Sequence, residues 1–121
     1  MKPRKLSIPL LYIVLVACQN NADTTPPTIA SSVPASGATN IALSSNLAIT
    51  FSEAMNQSSV TINVSPALSL GTPVWNTPVT VAFDPPNLEP DTSYTVTVEG
   101  KDQAGNNLSG NKTITFQTIP P

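Results

Sequence analysis

The sequence contains no histidine and only one cysteine, Cys18. The lack of histidine removes the commonest general base and the commonest zinc ligand. A single cysteine excludes any disulfide within one chain. Without histidine no serine can join a Ser-His pair, and no Gly-rich phosphate loop occurs. We therefore predict that the protein is not an enzyme.

Positive charge is also scarce. After residue 17 the chain has two lysines, Lys101 and Lys112, and no arginine against seven acids, a formal charge of −5. Such a chain lacks the basic surface that nucleic-acid binding requires. It is equally unsuited to docking on anionic lipid headgroups. Nucleic acid is therefore excluded as a partner, and membrane association has to come from another source.

That source is predicted at the N-terminus. Lys2, Arg4 and Lys5 precede an apolar stretch over residues 6–17, which is the pattern of a secretory signal peptide. The stretch is too short to span a bilayer, which takes about 20 residues. It ends in Leu15-Val16-Ala17-Cys18 and resembles the lipobox of bacterial lipoproteins. The alternative is an ordinary signal peptide in which the cysteine is incidental.

The lipobox resemblance implies cleavage after residue 17 and lipidation of Cys18, which becomes the mature N-terminus. Two or three acyl chains anchor a protein stably, where a single chain does not. Gln19 stands where an aspartate retains many Gram-negative lipoproteins at the inner membrane. The resemblance therefore favours the outer membrane or the cell surface. Residues 18–27 are polar, end in two prolines and are interpreted as a linker.

Beyond the linker, apolar residues recur with a period of two, which is typical of strands with one buried face. The clearest stretches are residues 47–52, 60–65, 79–83, 94–99 and 113–117, and weaker ones cover 28–33 and 74–76. Only residues 52–58 favour a helical turn. Turn-forming residues separate the stretches. We predict an all-β, immunoglobulin-like sandwich of about seven antiparallel strands over residues 28–119.

Six short motifs in order carry a further resemblance. They are residues 23–28 (DTTPPT), 33–38 (VPASGA), 49–55 (ITFSEAM), 88–94 (LEPDTSY), 102–106 (DQAGN) and 114–118 (ITFQT). Together they resemble the SbsA-type bacterial Ig-like domain of S-layer and other bacterial surface proteins. The resemblance implies a structural spacer or adhesive module in the cell envelope. The alternative is a module that binds a glycan or an envelope protein.

Two of these motifs predict structural roles. Leu88-x-Pro90-x-Thr92-x-Tyr94 has the form of a tyrosine corner, in which the Tyr94 hydroxyl bonds to backbone a few residues upstream. Gly105 and Asn106 suit a hairpin turn because both residue types tolerate positive φ.

Calcium is the sharpest candidate ligand in the sequence. Asp23 lies at the start of the domain, Glu53 follows a strand, and Asp102 lies in a loop between the last two strands. Hard cations take six to eight oxygen ligands. We nominate these three carboxylates, supported by backbone carbonyls and Asn106. The alternative is turn capping by acids that remain at the surface, with no cofactor at all.

Two further candidates concern sugars. Trp75 is a candidate ligand contact on an aromatic platform for a glycan, although core packing is the competing role for a scarce aromatic residue. Glu89 and Asp91 form a pair of carboxylates of the kind that glycosidases use. They flank Pro90 in a turn, where exposed charges are expected without any catalytic role.

Overall fold

The computed structural model describes residues 22–84 and 87–121. The predicted signal peptide, Cys18 and Gln19 lie outside these residues. The described chain forms eight strands and one short 3₁₀ helix. The strands are β1 Ile29–Val33, β2 Ala38–Ile41, β3 Leu47–Phe51, β4 Thr61–Ser65, β5 Val74–Thr77, β6 Thr80–Phe83, β7 Ser93–Glu99 and β8 Thr113–Thr118.

The strands form two four-stranded sheets, in the orders β1-β3-β6-β5 and β2-β8-β7-β4. This arrangement confirms the predicted all-β, Ig-like sandwich. Within the described ranges, no helix reaches the length and apolarity that a bilayer crossing requires.

The pairing differs from the prediction in one strand. β2 runs parallel to β8, with Ala38 opposite Phe116 and Ile41 opposite Thr118, whereas the other pairs are antiparallel. β2 has no alternating pattern in the sequence, because only its two ends are partly buried. Asn40 also has a φ of 56°, which is unusual inside a strand.

The helical turn expected over residues 52–58 is reduced to a 3₁₀ turn, Gln57–Ser59. The reason lies in backbone pairing to other segments. Met55 donates its N–H to the Pro78 carbonyl at 3.2 Å and forms an isolated bridge with Asp102. A backbone group already bonded to another segment is not free for the next helical turn.

The core follows from the alternation in both sheets. Leu47, Ile49 and Phe51 of β3 face Tyr94, Val96 and Val98 of β7 in one buried cluster, to which the other inward residues belong. Ile49, Val96 and Val98 are each 0% exposed. Apolar burial of this kind is the main stabilising term of such a domain.

The described chain enters the sandwich at one end, here called the near end, and leaves it at the opposite end, here called the far end. At the near end, the segment before β1 meets the loops after β3 and β7, since Thr28 donates to Ser52 Oγ at 2.9 Å and Ser109 donates to the Pro27 carbonyl at 2.9 Å. At the far end, Ile119 follows β8 and donates to the Ile41 carbonyl at 3.0 Å.

Candidate functional site

Three carboxylates meet at the near end of the sandwich. Asp23 precedes β1, Glu53 follows β3 and Asp102 follows β7, and each offers one oxygen such that these oxygens all lie within 4.8 Å of one another. Asp23 is exposed, Glu53 is half-buried and Asp102 is 1% exposed. The structure thus brings together the three residues that the sequence nominated for calcium, from parts of the chain far apart in sequence.

Asp102 is held by its own loop. Its Oδ1 accepts hydrogen bonds from the backbone N–H groups of Ala104 at 2.9 Å and Asn106 at 2.8 Å, and its Oδ2 accepts one from Asn106 Nδ2 at 2.9 Å. The φ of +95° at Gly105 lets the loop turn back to make these bonds. Burial raises the pKa of Asp102, but the bonds from Asn106 and Ala104 outweigh it and lower the pKa to about 2. Asp102 is therefore ionised at neutral pH.

Glu53 has the opposite shift. Burial, hydrogen bonding to the carboxylates of Asp23 and Asp102, and repulsion from both raise its pKa to about 7. Three acidic groups this close repel one another when all are charged. A proton held on Glu53 relieves that repulsion.

Asn106 was predicted to support a calcium ion with its side-chain oxygen, but its side-chain nitrogen faces the cluster instead. Its Nδ2 faces Asp102 Oδ2 at 2.9 Å, the Asp23 carbonyl at 3.1 Å and the Thr25 carbonyl at 3.4 Å. All three neighbours are acceptors, so the side chain presents its N–H groups to the cluster.

Residues 23–27, here called the N-terminal strap, are in contact with the domain although the sequence assigned them to a linker. Besides the bonds to Asn106, the Thr25 N–H donates to Asp23 Oδ1 at 2.9 Å. Pro27 is less than 2% exposed, and its carbonyl accepts a bond from the Ser109 N–H. Two sequence signals pointed to this contact: the DTTPPT motif over residues 23–28 belongs to the Ig-like resemblance, and its Pro-Pro pair limits the conformations of the strap.

The predicted tyrosine-corner residue lies at the far end. The Glu89 N–H donates to Tyr94 Oη at 2.9 Å, and the ring, 2% exposed, stacks on Phe116 with centroids 5.5 Å apart. Thr118, which the sequence analysis missed, is 2% exposed, donates to the Glu89 carbonyl and accepts from the Thr92 N–H at 3.0 Å. The two hydroxyls hold the segment before β7 against the second sheet.

The residues nominated for sugars lie in different places. Trp75 is half-buried on β5, and its ring stacks on Phe51 with centroids 6.1 Å apart at 22°. One face of the ring is therefore used in packing, beside a hollow of about 160 Å³ lined by Val60, Ile62 and Leu70 among others. Glu89 and Asp91 are exposed in the far-end turn, where Gln117 donates to Asp91 Oδ1 at 3.2 Å.

Solved structures show where this fold occurs. The chain is similar to PcoC from Escherichia coli, described as a methionine-rich copper resistance protein, with 17% identity, a TM-score of 0.63 and coverage of 78% of this chain and 99% of that one. It is also similar to CopC from Methylosinus trichosporium OB3b, with 17% identity, a TM-score of 0.60 and coverage of 78% and 94%. At this identity the likeness concerns the fold alone. No curated protein matches by sequence.

The family is established by sequence. The model of the bacterial Ig-like domain matches residues 23–118, which include all eight strands, the strap and the three carboxylates. The chain belongs to the bacterial Ig-like domain family.

Proposed function

We propose that the chain is a non-enzymatic protein of the cell envelope, anchored by lipid on Cys18, whose Ig-like domain serves as a structural spacer or adhesive module. The observation that carries the proposal is that the described chain enters and leaves the domain at opposite ends. The strap lies at the near end and Ile119 at the far end. A partner bound at the far end is therefore held away from the anchor by the length of the sandwich.

The length of the strands sets this separation. β7 has seven residues and extends about 23 Å at about 3.3 Å per residue. The loops beyond its two ends add to the distance. A domain that is rigid along this axis keeps a fixed separation between an anchor and a partner, which a flexible linker does not.

Palmitate labelling of the full chain in a bacterial host tests the anchor. We expect the label and membrane fractionation in wild type, loss of both in Cys18→Ala, and retention of both in the matched control Gln19→Ala. In a Gram-negative host, Gln19→Asp should move the chain from the outer to the inner membrane fraction. Label that persists in Cys18→Ala would overturn the anchoring proposal.

A second role, calcium-stiffened anchoring, is favoured by the three carboxylate oxygens within 4.8 Å. Asp23, Glu53 and Asp102 provide hard oxygen ligands, and Ca²⁺ would complete its shell with backbone carbonyls and water. Binding would replace the proton on Glu53 and join the strap to two loops of the domain. Stiffening would then act at the junction between linker and domain.

Thermal unfolding with and without calcium tests this role. At a Ca²⁺ concentration ten times the Kd, stability rises by about 1.4 kcal/mol. We expect the rise in wild type and in the control Asp84→Asn, an exposed acid outside the cluster, and its loss in Asp23→Asn and Glu53→Gln. An unchanged melting temperature at millimolar calcium would eliminate the calcium role.

Copper fits the ligands of this domain poorly. Copper sites favour thioether, thiolate and imidazole ligands. This chain has no histidine and two methionines, of which Met55 is 1% exposed in the core. The ligand set of the described domain therefore favours a hard cation, despite the fold shared with copper resistance proteins.

A further inference from the structure

The side chain of Asn106 connects the strap to the domain. We propose that the Asn106 amide is a latch for the N-terminal strap, so that the fold sets the direction in which the chain leaves towards Cys18. The biological consequence rests on the proposed lipid anchor. The latch itself is a property of the described residues and is tested separately.

The geometry gives Asn106 a role that few residue types can fill. Its Nδ2 carries two hydrogens and faces Asp102 Oδ2 at 2.9 Å, the Asp23 carbonyl at 3.1 Å and the Thr25 carbonyl at 3.4 Å. One side chain thus bridges an ionised carboxylate of the domain and two carbonyls of the strap. Hydrogen bonds to a charged acceptor are about twice as strong as neutral ones, so the bond to Asp102 fixes the orientation of the amide.

The other end of the strap has a second attachment. Pro27 is buried, and its carbonyl accepts the Ser109 N–H at 2.9 Å and a longer bond of 3.4 Å from Ser109 Oγ. Pro26 and Pro27 fix two φ angles between the two attachments. Less conformational entropy is therefore lost when the strap docks.

The latch shortens the linker that is free to move. If the strap were free, the chain from Cys18 to Pro26 would reach about 25–30 Å. With the strap docked, only residues 18–22 lie between the lipid and the first latched carbonyl, and their maximal reach is about 17–18 Å. The near end of the domain is then held close to the bilayer surface.

Hydrogen–deuterium exchange of the intact chain in detergent micelles, with a chelator present, tests the latch without calcium. The reporters are the amides of Thr25 and Thr28, which donate to Asp23 Oδ1 and Ser52 Oγ, and exchange in β7 reports on the global fold. The variants are Asn106→Ala and Asn106→Asp, in which a carboxylate with no donor faces three acceptors. Asn107→Asp is the matched control because it adds the same charge at the adjacent, exposed position.

We expect protection of the strap in wild type and in Asn107→Asp. Loss of hydrogen bonds that contribute about 1–2 kcal/mol speeds amide exchange in the strap by about 5–30-fold. We expect this acceleration in both Asn106 variants, confined to the strap, with exchange in β7 unchanged. The proposal is overturned if the wild-type strap exchanges like an unstructured peptide, if Asn106→Asp matches wild type, or if β7 accelerates as much as the strap. A chain that lacks lipid but shows the expected exchange would contradict the anchor and leave the latch supported.

Discussion

Removing one hydroxyl from the far-end corner gives a quantitative test of how the two sheets are joined. Tyr94→Phe keeps the ring and its stacking on Phe116 but removes the acceptor that binds the Glu89 N–H at 2.9 Å. A typical hydrogen bond contributes about 0.5–1.5 kcal/mol, and a donor left without a partner costs about 1–3 kcal/mol. Because Glu89 is exposed, water can replace part of the lost bond, and we expect a loss of about 1–1.5 kcal/mol.

Urea unfolding followed by tryptophan fluorescence measures this loss. Trp75 is the only tryptophan of the chain, so the signal reports one known position against Phe51. The midpoint should fall while the slope with denaturant stays constant. In thermal unfolding the same loss lowers the melting temperature by about 4–8 °C for each kcal/mol in a domain of this size.

Two comparison variants separate the corner from a general effect of hydroxyl removal. Thr118→Val removes the other hydroxyl that holds residues 89–92, and combined with Tyr94→Phe it should show a coupling of about 0.5 kcal/mol or more. Thr50→Val removes a hydroxyl paired with Thr80 at 3.2 Å, outside the corner, and should change stability by under about 0.5 kcal/mol. The reasoning is refuted if Tyr94→Phe costs no more than Thr50→Val.

Three other predictions follow from the core and the acidic cluster. With a chelator present to remove calcium, the stability of the fold should fall as pH rises from 4.5 towards 7, because folding raises the pKa of Glu53 from 4.5 to about 7. Stability should also fall as pH drops from 3.8 towards 2, because folding lowers the pKa of Asp102 from 3.8 to about 2. Melting temperature against pH should peak near pH 4, and Glu53→Gln should remove the decline on the alkaline side; a decline that persists in this variant would contradict the assignment to Glu53. Ile49→Ala, at a fully buried site, should lower the free energy of unfolding by about 2–5 kcal/mol, as measured by urea unfolding. Val74→Ala, at 51% exposure, should lower it by under about 0.5 kcal/mol. Similar losses at both sites would contradict the core assignment. Trp75→Phe should preserve stability better than Trp75→Ala in thermal unfolding monitored by circular dichroism, because the smaller ring still packs on Phe51. Glycan-array binding that is lost in Trp75→Phe while folding is kept would support the glycan role of Trp75.

The predicted strands were accurate where one face is buried. β3 and β7 alternate between buried and more exposed positions, and this alternation is visible in their sequences. β2 was missed because its burial comes from pairing with β8 at its two ends, which leaves no period of two. A short edge strand is defined by the neighbour it pairs with, and the sequence of the strand does not name that neighbour.

The candidate site shows the same division. Asp23, Glu53 and Asp102 were nominated from residue type and their places in the chain, but their separation depends on β1 beginning where β3 and β7 end, at one end of the sandwich. The shifted pKa values of Glu53 and Asp102 follow from that separation and from burial. Residue type alone would assign both acids their ordinary pKa values.

The sequence by itself determined the all-β class and the acidic charge without a basic surface, and it supplies the lipobox-like residues 15–18 on which the anchor proposal rests. These are local properties, because a period of two, a charge count and a four-residue motif depend only on neighbours in the chain. Tertiary structure alone decided how the strap docks on the domain, that Asn106 presents its N–H groups to the strap carbonyls, and that the described chain enters and leaves the sandwich at opposite ends. Each of these depends on contacts between residues as many as 83 positions apart, which only the folded sandwich brings together.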